Sequence, residues 1–321
     1  MWFRKLGVIT IITIYLLVLA GGIVRSTGSG MGCPDWPRCF GQWIPPTSIN
    51  ELPADYQTIY GAKLKGEVIF NSTKTWIEYI NRLLGALTGV FIFGMLVASI
   101  PYLKKDKLVF YLTFTSFLLI GFQGWLGSKV VSSELLPFMV TLHMMLAVVI
   151  IFLLLYILSR SFVGVIKIEN IANKNQLNTL LIVAIAVTAL QVVFGTQVRE
   201  AIDEMSKRVG EGFRETWVAS LGLEFIIHRS FSWVVLICNF LLIYKFRQNN
   251  IRNGILNRLV LGLGFCVIAE IATGVSLAYL GFPAFIQPLH LTIGILILGI
   301  QFVIGLFVNE ERVFLKAIKS A

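Results

Sequence analysis

Three histidines occur in 321 residues, and their spacing repeats. His143 and His290 are 147 residues apart, and His228 lies 147 past Asn81. The neighbours travel with them: Asn81-Arg82 becomes His228-Arg229, and Leu142-His143 becomes Leu289-His290. Each position falls near one end of a strongly apolar stretch. Scarce imidazoles at matching depths in a repeated membrane bundle are suited to holding a metal or a haem. His228 and His290 would face each other across one four-helix bundle, as two axial ligands of a low-spin haem iron. Gly222, Ser232 and Gly294 would leave room for the macrocycle. Zinc fits less well, because it wants third and fourth protein ligands.

The matching pair in the first half is Asn81 and His143. Asparagine is a poor haem ligand, so an iron there would be held by His143 alone or with an exchangeable partner, which suits a substrate better than a relay. Glu78 precedes Asn81 by one helical turn, and Glu224 stands almost equivalently before His228. A carboxylate so placed either reaches the interfacial water or acts beside the site, as proton acceptor or as a negative charge that stabilises a cationic intermediate. Arg25, Arg82, Arg199 and Arg229 cluster at the same end, where their forks would bind either haem propionates or lipid phosphate. Gln123, Gln191 and Glu270 read as interhelical glue within the membrane. Cys238 and Cys266 read as small core residues. Cys33 and Cys39, six apart in an outer loop, can form a disulfide in an oxidising compartment, with either a structural or a redox role.

These residues need a frame of membrane helices. The chain is 56% hydrophobic and 14% charged, with a mean hydropathy of +0.80, which leaves no polar shell to face water. Eight stretches approach the ~20 residues that cross a bilayer: 6–24, 77–100, 108–127, 137–158, 179–198, 223–244, 259–280 and 286–308. More than half of the 27 Lys and Arg fall on one side, including Arg4, Lys104, Arg160, Lys167, Arg252, Arg312, Lys316 and Lys319. The positive-inside rule makes that side, with both termini, cytoplasmic. The net charge of +10 is thereby topology and anionic lipid attraction, with no reason to infer nucleic acid binding.

The first stretch is read as a retained helix, because its end, Gly21-Gly22-Ile23-Val24-Arg25, resembles that of the fifth, Gly195-Thr196-Gln197-Val198-Arg199. Gly127 also matches Gly274 and Gln123 matches Glu270 at the 147 offset. The expected fold is all-α: two tandem four-helix bundles related by a pseudo-two-fold along the membrane normal. Residues 1–159 would form the first half, on the substrate side. Residues 160–178 would be a cytoplasmic linker, and 179–321 a second half on the cofactor side. Nothing resembles an organellar transit peptide, so the expected location is a bacterial plasma membrane.

The segment 21–46, with Gly-Ser-Gly-Met-Gly-Cys-Pro-Asp-Trp-Pro-Arg-Cys-Phe-Gly-Gln-Trp at 28–43, resembles the first outer loop of the haem A synthases. Ile77-Glu78-Tyr79-Ile80-Asn81-Arg82-Leu83-Leu84-Gly85, Leu142-His143, His228-Arg229 and Leu289-His290 resemble the rest of that family's pattern, so the likeness spans essentially the whole chain. It implies oxidation of the C8 methyl group of haem O to a formyl group by successive hydroxylations, with haem O synthase as a candidate donor and homo-oligomers compatible. By the same resemblance, haem b is held at His228 and His290; of the outer-end arginines described above, Arg199 and Arg229 would then be placed for its propionates. His143, with Asn81, Arg25 and Arg82, lies on the substrate side, and Glu78 is the catalytic carboxylate. Many members carry histidine where Asn81 stands, so two-histidine ligation does not transfer to the first half. A paired cysteine loop occurs in part of the family, in line with a Cys33–Cys39 bridge. The competing readings are a di-haem b electron carrier that exchanges electrons with quinone, for which Asn81 breaks the expected symmetry, and a parallel-repeat transporter, which would place polar groups at the midplane.

Overall fold

A computed structural model of the chain describes residues 2–61, 70–163, 173–210, 213–249 and 253–314. Among the described residues, eight helices are long and apolar enough to cross a membrane. They are α1 (Trp2–Ser26), α2 (Ser72–Ser99), α3 (Lys107–Ser132), α4 (Pro137–Ser161), α5 (Lys174–Val209), α6 (Leu223–Gln248), α7 (Gly254–Tyr279) and α8 (Ile286–Val308). No strand occurs among the described residues, and the protein is an all-α, multi-pass membrane protein.

Helix is the backbone's answer to hydrocarbon, which offers no outside hydrogen-bond partners. Side-chain hydroxyls inside the spans obey the same constraint by bonding back to carbonyls one turn earlier. Thr10 donates to Leu6 at 2.8 Å, Thr88 to Leu84 at 2.8 Å and Ser116 to Leu112 at 2.9 Å. Asparagines start two of the helices: Asn71 accepts from Lys74 N at the head of α2, and Asn253 from Ile255 N and Leu256 N at the head of α7. Large apolar side chains such as Phe265, Phe240 and Trp233 are about two-thirds exposed or more, as expected where lipid replaces water as the solvent.

The chain divides into two compact units, one of Met1–Ile100 with Tyr111–Ile151, the other of Pro101–Phe110 with Phe152–Ala321. In the first, α1 packs along α2, and α3 meets α4 through Gln123 and His143. In the second, α5 packs on α6, α6 on α7, α7 on α8 and α8 back on α5, closing a four-helix ring. Leu181, Leu242, Leu256, Leu263, Ile297 and Ile304 fill its lower core. A buried polar lattice crosses it, with Gln301 donating to Asn239 at 2.8 Å and to Thr188 at 3.1 Å.

The turns repeat as the histidines do. Between α3 and α4 the backbone takes left-handed values at Glu134 and Leu135, and between α7 and α8 at Gly281 and Phe282, the same pair of positions 147 residues on. The two αα-hairpins therefore close alike.

The fifth span runs further than its apolar stretch, to Val209 rather than 198. The extension is polar enough to leave the membrane and is stitched by Arg199–Asp203 at 2.6 Å and Glu204–Arg208 at 3.8 Å. Ile202 on its inner face joins Trp217, Leu277 and Phe282 in a small cap core. In the second unit, Arg160 grips Asp106 with two hydrogen bonds of 2.7 and 3.1 Å, tying the end of α4 to the start of α3. The middle of the expected linker, 164–172, lies outside the described residues, as do Lys167, Arg252, Lys316 and Lys319 of the orientation argument and the side chain of Arg312.

Candidate functional site

Asn81, His143, His228 and His290 each stand within the first ten residues of an even-numbered helix. Each lies over a glycine of the helix before it. A Cβ added at Gly127 would come 3.3 Å from His143 Cε1, at Gly195 3.3 Å from His228 Cε1, and at Gly274 3.2 Å from His290 Cε1. At Gly21 it would lie 3.9 Å from Asn81 Oδ1. The glycines are floors: without a side chain there, the Cε1 edge of an imidazole can come close to the neighbouring helix. Gly222, Ser232 and Gly294 are not among these floors. Gly222 N instead bonds Glu224 Oε1 at 2.8 Å, and a Cβ at Gly294 would meet Glu270 Oε1 at 3.3 Å.

A second element recurs four residues before three of the floors. Gln123 Nε2 donates to His143 O at 2.8 Å, and Gln191 Nε2 to His228 O at 3.0 Å. Glu270 takes this place before Gly274, with Oε1 3.4 Å from His290 Nδ1. Before Gly21 the place is held by Leu17. The glue is thus specific: each amide fixes the helix that carries a histidine at the level of that histidine.

Within the second unit the rings of His228 and His290 face each other with centroids 6.3 Å apart and planes at 75°. His290 Nδ1 is 2.9 Å from Thr273 Oγ1, whereas Nδ1 of His228 and of His143 is buried with no hydrogen-bond partner. No group of three or more His, Cys, Asp or Glu gathers into a metal cluster among the described residues. Arg199 bonds Gln287 Oε1, one turn before His290, as well as Asp203. Arg229 lies over the Phe225 ring at 5.6 Å.

In the first unit Glu78 is buried at 3% exposure, and both its oxygens are engaged. Oε2 accepts from Cys33 N at 2.9 Å, and Oε1 accepts from Arg82 Nη2 at 2.5 Å and Nε at 3.1 Å. Arg82 goes on to the loop carbonyls of Cys33 at 3.1 Å, Asp35 at 2.7 Å and Arg38 at 3.0 Å. Its guanidinium is therefore spent on protein groups, which the reading of Arg82 as a propionate partner passed over. The signal was available, since Glu78 and Arg82 are an i,i+4 pair on α2. Asn81 Oδ1 is buried without a partner.

Cys33 and Cys39 form a disulfide, both fully buried, in a loop that packs Phe40 against Tyr56, Tyr60 and Phe70. Thr75 Oγ1 donates to Gly32 O at 2.8 Å and Tyr79 Oη to Trp43 O at 2.7 Å, so one face of α2 clasps the loop from Thr75 to Arg82. Gly32 shows how close that clasp is, because a Cβ there would lie 2.5 Å from Lys74 O. Cys266 is buried and Cys238 half-buried, both as free thiols inside helices.

A family model described as cytochrome oxidase assembly protein matches residues 4–302. The chain is 31% identical to a protein of Shewanella oneidensis named Heme A synthase, over 47% of this chain and 44% of that protein. A protein of Ehrlichia canis with the same name is 32% identical, over 58% and 56%. One of Rickettsia bellii, again so named, is 23% identical over 90% and 93%. The chain thus spans about half the length of the first two of these relatives.

Proposed function

Since the chain belongs to the cytochrome oxidase assembly protein family, we propose that it acts in haem A biosynthesis as an oxidoreductase, converting the C8 methyl group of haem O to a formyl group through successive hydroxylations. The observation that carries this reading is the contrast between the facing His228–His290 pair of the second unit and the Asn81 and His143 positions of the first.

The second-unit pair fits a resident haem b. Two metal–nitrogen bonds of about 2 Å, with each nitrogen about 1 Å from its ring centre, add to roughly the 6.3 Å observed between the rings. A haem would bring the remaining donors itself, and the glycines at Gly195 and Gly274 leave room for the rings to sit back against the helices that carry those glycines. When bound, such a group supplies one-electron chemistry. The work of the chain is to hold both imidazoles at that spacing, and Arg199 and Arg229 are the outer-end arginines assigned to the propionates.

In the first unit, His143, seated over Gly127, would hold the substrate haem, and Asn81 would offer it no second imidazole. Glu78, one turn from Asn81, has both oxygens bonded, which suits a fixed negative charge better than a mobile proton carrier. A fixed carboxylate stabilises positive charge that develops on the macrocycle edge. Arg82 holds it in place through two hydrogen bonds, and the disulfide loop closes over it and excludes water. The sites lie towards the extracytoplasmic side, with both termini cytoplasmic. A pure electron carrier would place two imidazoles in each unit, and Asn81 does not serve that end.

The test is to express the chain with a haem O synthase in membranes that lack haem A, then extract and separate the B, O and A haems. Haem A is expected to appear. Haem O persisting with no A or hydroxylated product would overturn the assignment.

A further inference from the structure

The three histidines are not bound alike. Each sits over a glycine, but the residue just before that glycine is Leu126 under His143, Phe194 under His228 and Thr273 under His290. A hydroxyl therefore meets one imidazole of the three. Thr273 Oγ1 carries a single proton, and two backbone carbonyls compete for it, Ala269 O and Glu270 O, each at 2.9 Å. What the hydroxyl turns towards His290 Nδ1, at 2.9 Å, is then a lone pair. A second oxygen, Glu270 Oε1, lies 3.4 Å from the same nitrogen. A lone pair at hydrogen-bond distance from a ring nitrogen calls for a proton on that nitrogen, and the Glu270 carboxyl lies beside it. The floor at Gly274 makes the arrangement possible, since any Cβ there would push against Cε1, the carbon between the two ring nitrogens.

We propose that Thr273, backed by Glu270, is a positioning residue that fixes His290 in its Nδ1–H form, so that Nε2 is presented unprotonated and with raised basicity on the face towards His228. The inference rests on the reading of His228 and His290 as ligands of one haem iron. Its consequence is an unequal pair. His290 is an electron-rich ligand supported from behind, and His228 is an ordinary one whose Nδ1 makes no hydrogen bond. A more basic ligand favours ferric over ferrous iron, so the pair sets a lower midpoint potential than two unsupported imidazoles would. The relevant asymmetry is built into α7 alone, by one hydroxyl and one carboxylate on the turn beneath the ligand.

The experiment is a redox titration of the second-unit haem in the purified full-length protein, followed by its low-spin absorbance. Thr273→Val keeps size and removes the acceptor. It should retain the low-spin spectrum and weaken ferric relative to ferrous ligation by roughly tenfold, which is an upward shift of about 59 mV for a one-electron couple. Thr273→Ser restores the hydroxyl and should restore the wild-type potential. An unshifted valine variant would overturn the positioning role. His290→Ala tests the premise separately: if it keeps an unchanged low-spin haem, the ligand assignment itself falls. Should the valine variant not fold, electron–nuclear double resonance on the ferric wild-type protein decides. Two inequivalent exchangeable imidazole protons are expected, and equivalent ones would sink the proposal.

Discussion

Asn81 and His143 in the first unit, and His228 and His290 in the second, stand on one local plan and are furnished differently. Every position has its glycine floor, and three of the four have a polar residue four places before it. The exception is a whole rung: Leu17 replaces the glutamine of α5, and Asn81 replaces the histidine of α6. The covering differs too. Over α2 lies a disulfide-closed loop locked to Glu78 and Arg82, whereas Glu224, the counterpart before His228, turns back to the amide of Gly222 at the head of its own helix. On the proposed reading, the second unit would hold its haem permanently and the first would hold its substrate provisionally beneath the loop. The difference teaches that the two units share a local helix plan and depart from each other at the same rung, in the side chain it presents and in what covers it.

The sharpest way to break that contrast is Glu78→Gln. The amide still accepts from Cys33 N, so the loop keeps one anchor, but Arg82 loses its ion-pair partner and the site its negative charge. Haem A formation should fall by about 100-fold or more, with second-unit haem content unchanged and haem O or a hydroxylated intermediate accumulating. Normal haem A output from this variant would reduce Glu78 to a loop anchor.

Much of this was readable before any fold was known. Hydrophobic length alone places all eight spans, because hydrocarbon thickness leaves the chain little choice, and the 147-residue offset pairs the histidines with Asn81. The long polar end of α5 was not legible, since Arg199–Asp203 and Glu204–Arg208 pairs support a helix beyond the apolar run only once Ile202 finds Trp217 and Phe282 to pack on. Glu78–Arg82 was legible as an i,i+4 pair but was masked by assigning Arg82 elsewhere. The floors at Gly127 and Gly274 showed as a repeat without showing their purpose. Thr273 gave no signal at all, for a single hydroxyl in an apolar helix acquires meaning only from the imidazole above it.

Making the rungs alike is the second way to sharpen the comparison. Asn81→His should supply a second imidazole over Gly21, where the approach of 3.9 Å leaves space for a ring. Haem held in the first unit should move towards low spin, and turnover should drop as the open position closes. A spectrum unchanged in a variant that holds haem there would mean that Asn81 does not face the iron.

The floors themselves give a graded test. Gly195→Ala and Gly274→Ala place a methyl group 3.3 and 3.2 Å from an imidazole carbon, so each ring must tilt by a few tenths of an ångström. Haem retention in the second unit should weaken by about tenfold, in the range of other changes that misorient a metal ligand. Gly21→Ala, at an ordinary 3.9 Å contact, should leave the first unit almost unaffected. Equal losses at all three glycines would point to a general packing role.

The smallest effect concerns the disulfide-closed loop of the first unit. Glu51 closes a turn there: its carboxylate accepts from Thr47 Oγ1 at 2.6 Å, from Thr47 N at 3.2 Å and from Ser48 N at 3.1 Å. The Thr47 hydroxyl, then the Thr47 amide, hold its pKa below the ordinary 4.5. A depressed carboxylate contributes stability that is present above the ordinary value and is lost as pH falls through the lowered one. Because Glu51 is fully exposed, the effect is local rather than global. Deuterium exchange of the Thr47 and Ser48 amides, corrected for intrinsic rates, should show protection at neutral pH that disappears in acid below 4.5, and Glu51→Gln should lose that pH dependence while the disulfide and the Glu78 clasp remain intact. Protection that survived acid unchanged would mean the turn is held by its 3₁₀ segment, Ile49–Glu51, and that the lid of the first unit owes nothing to this charge.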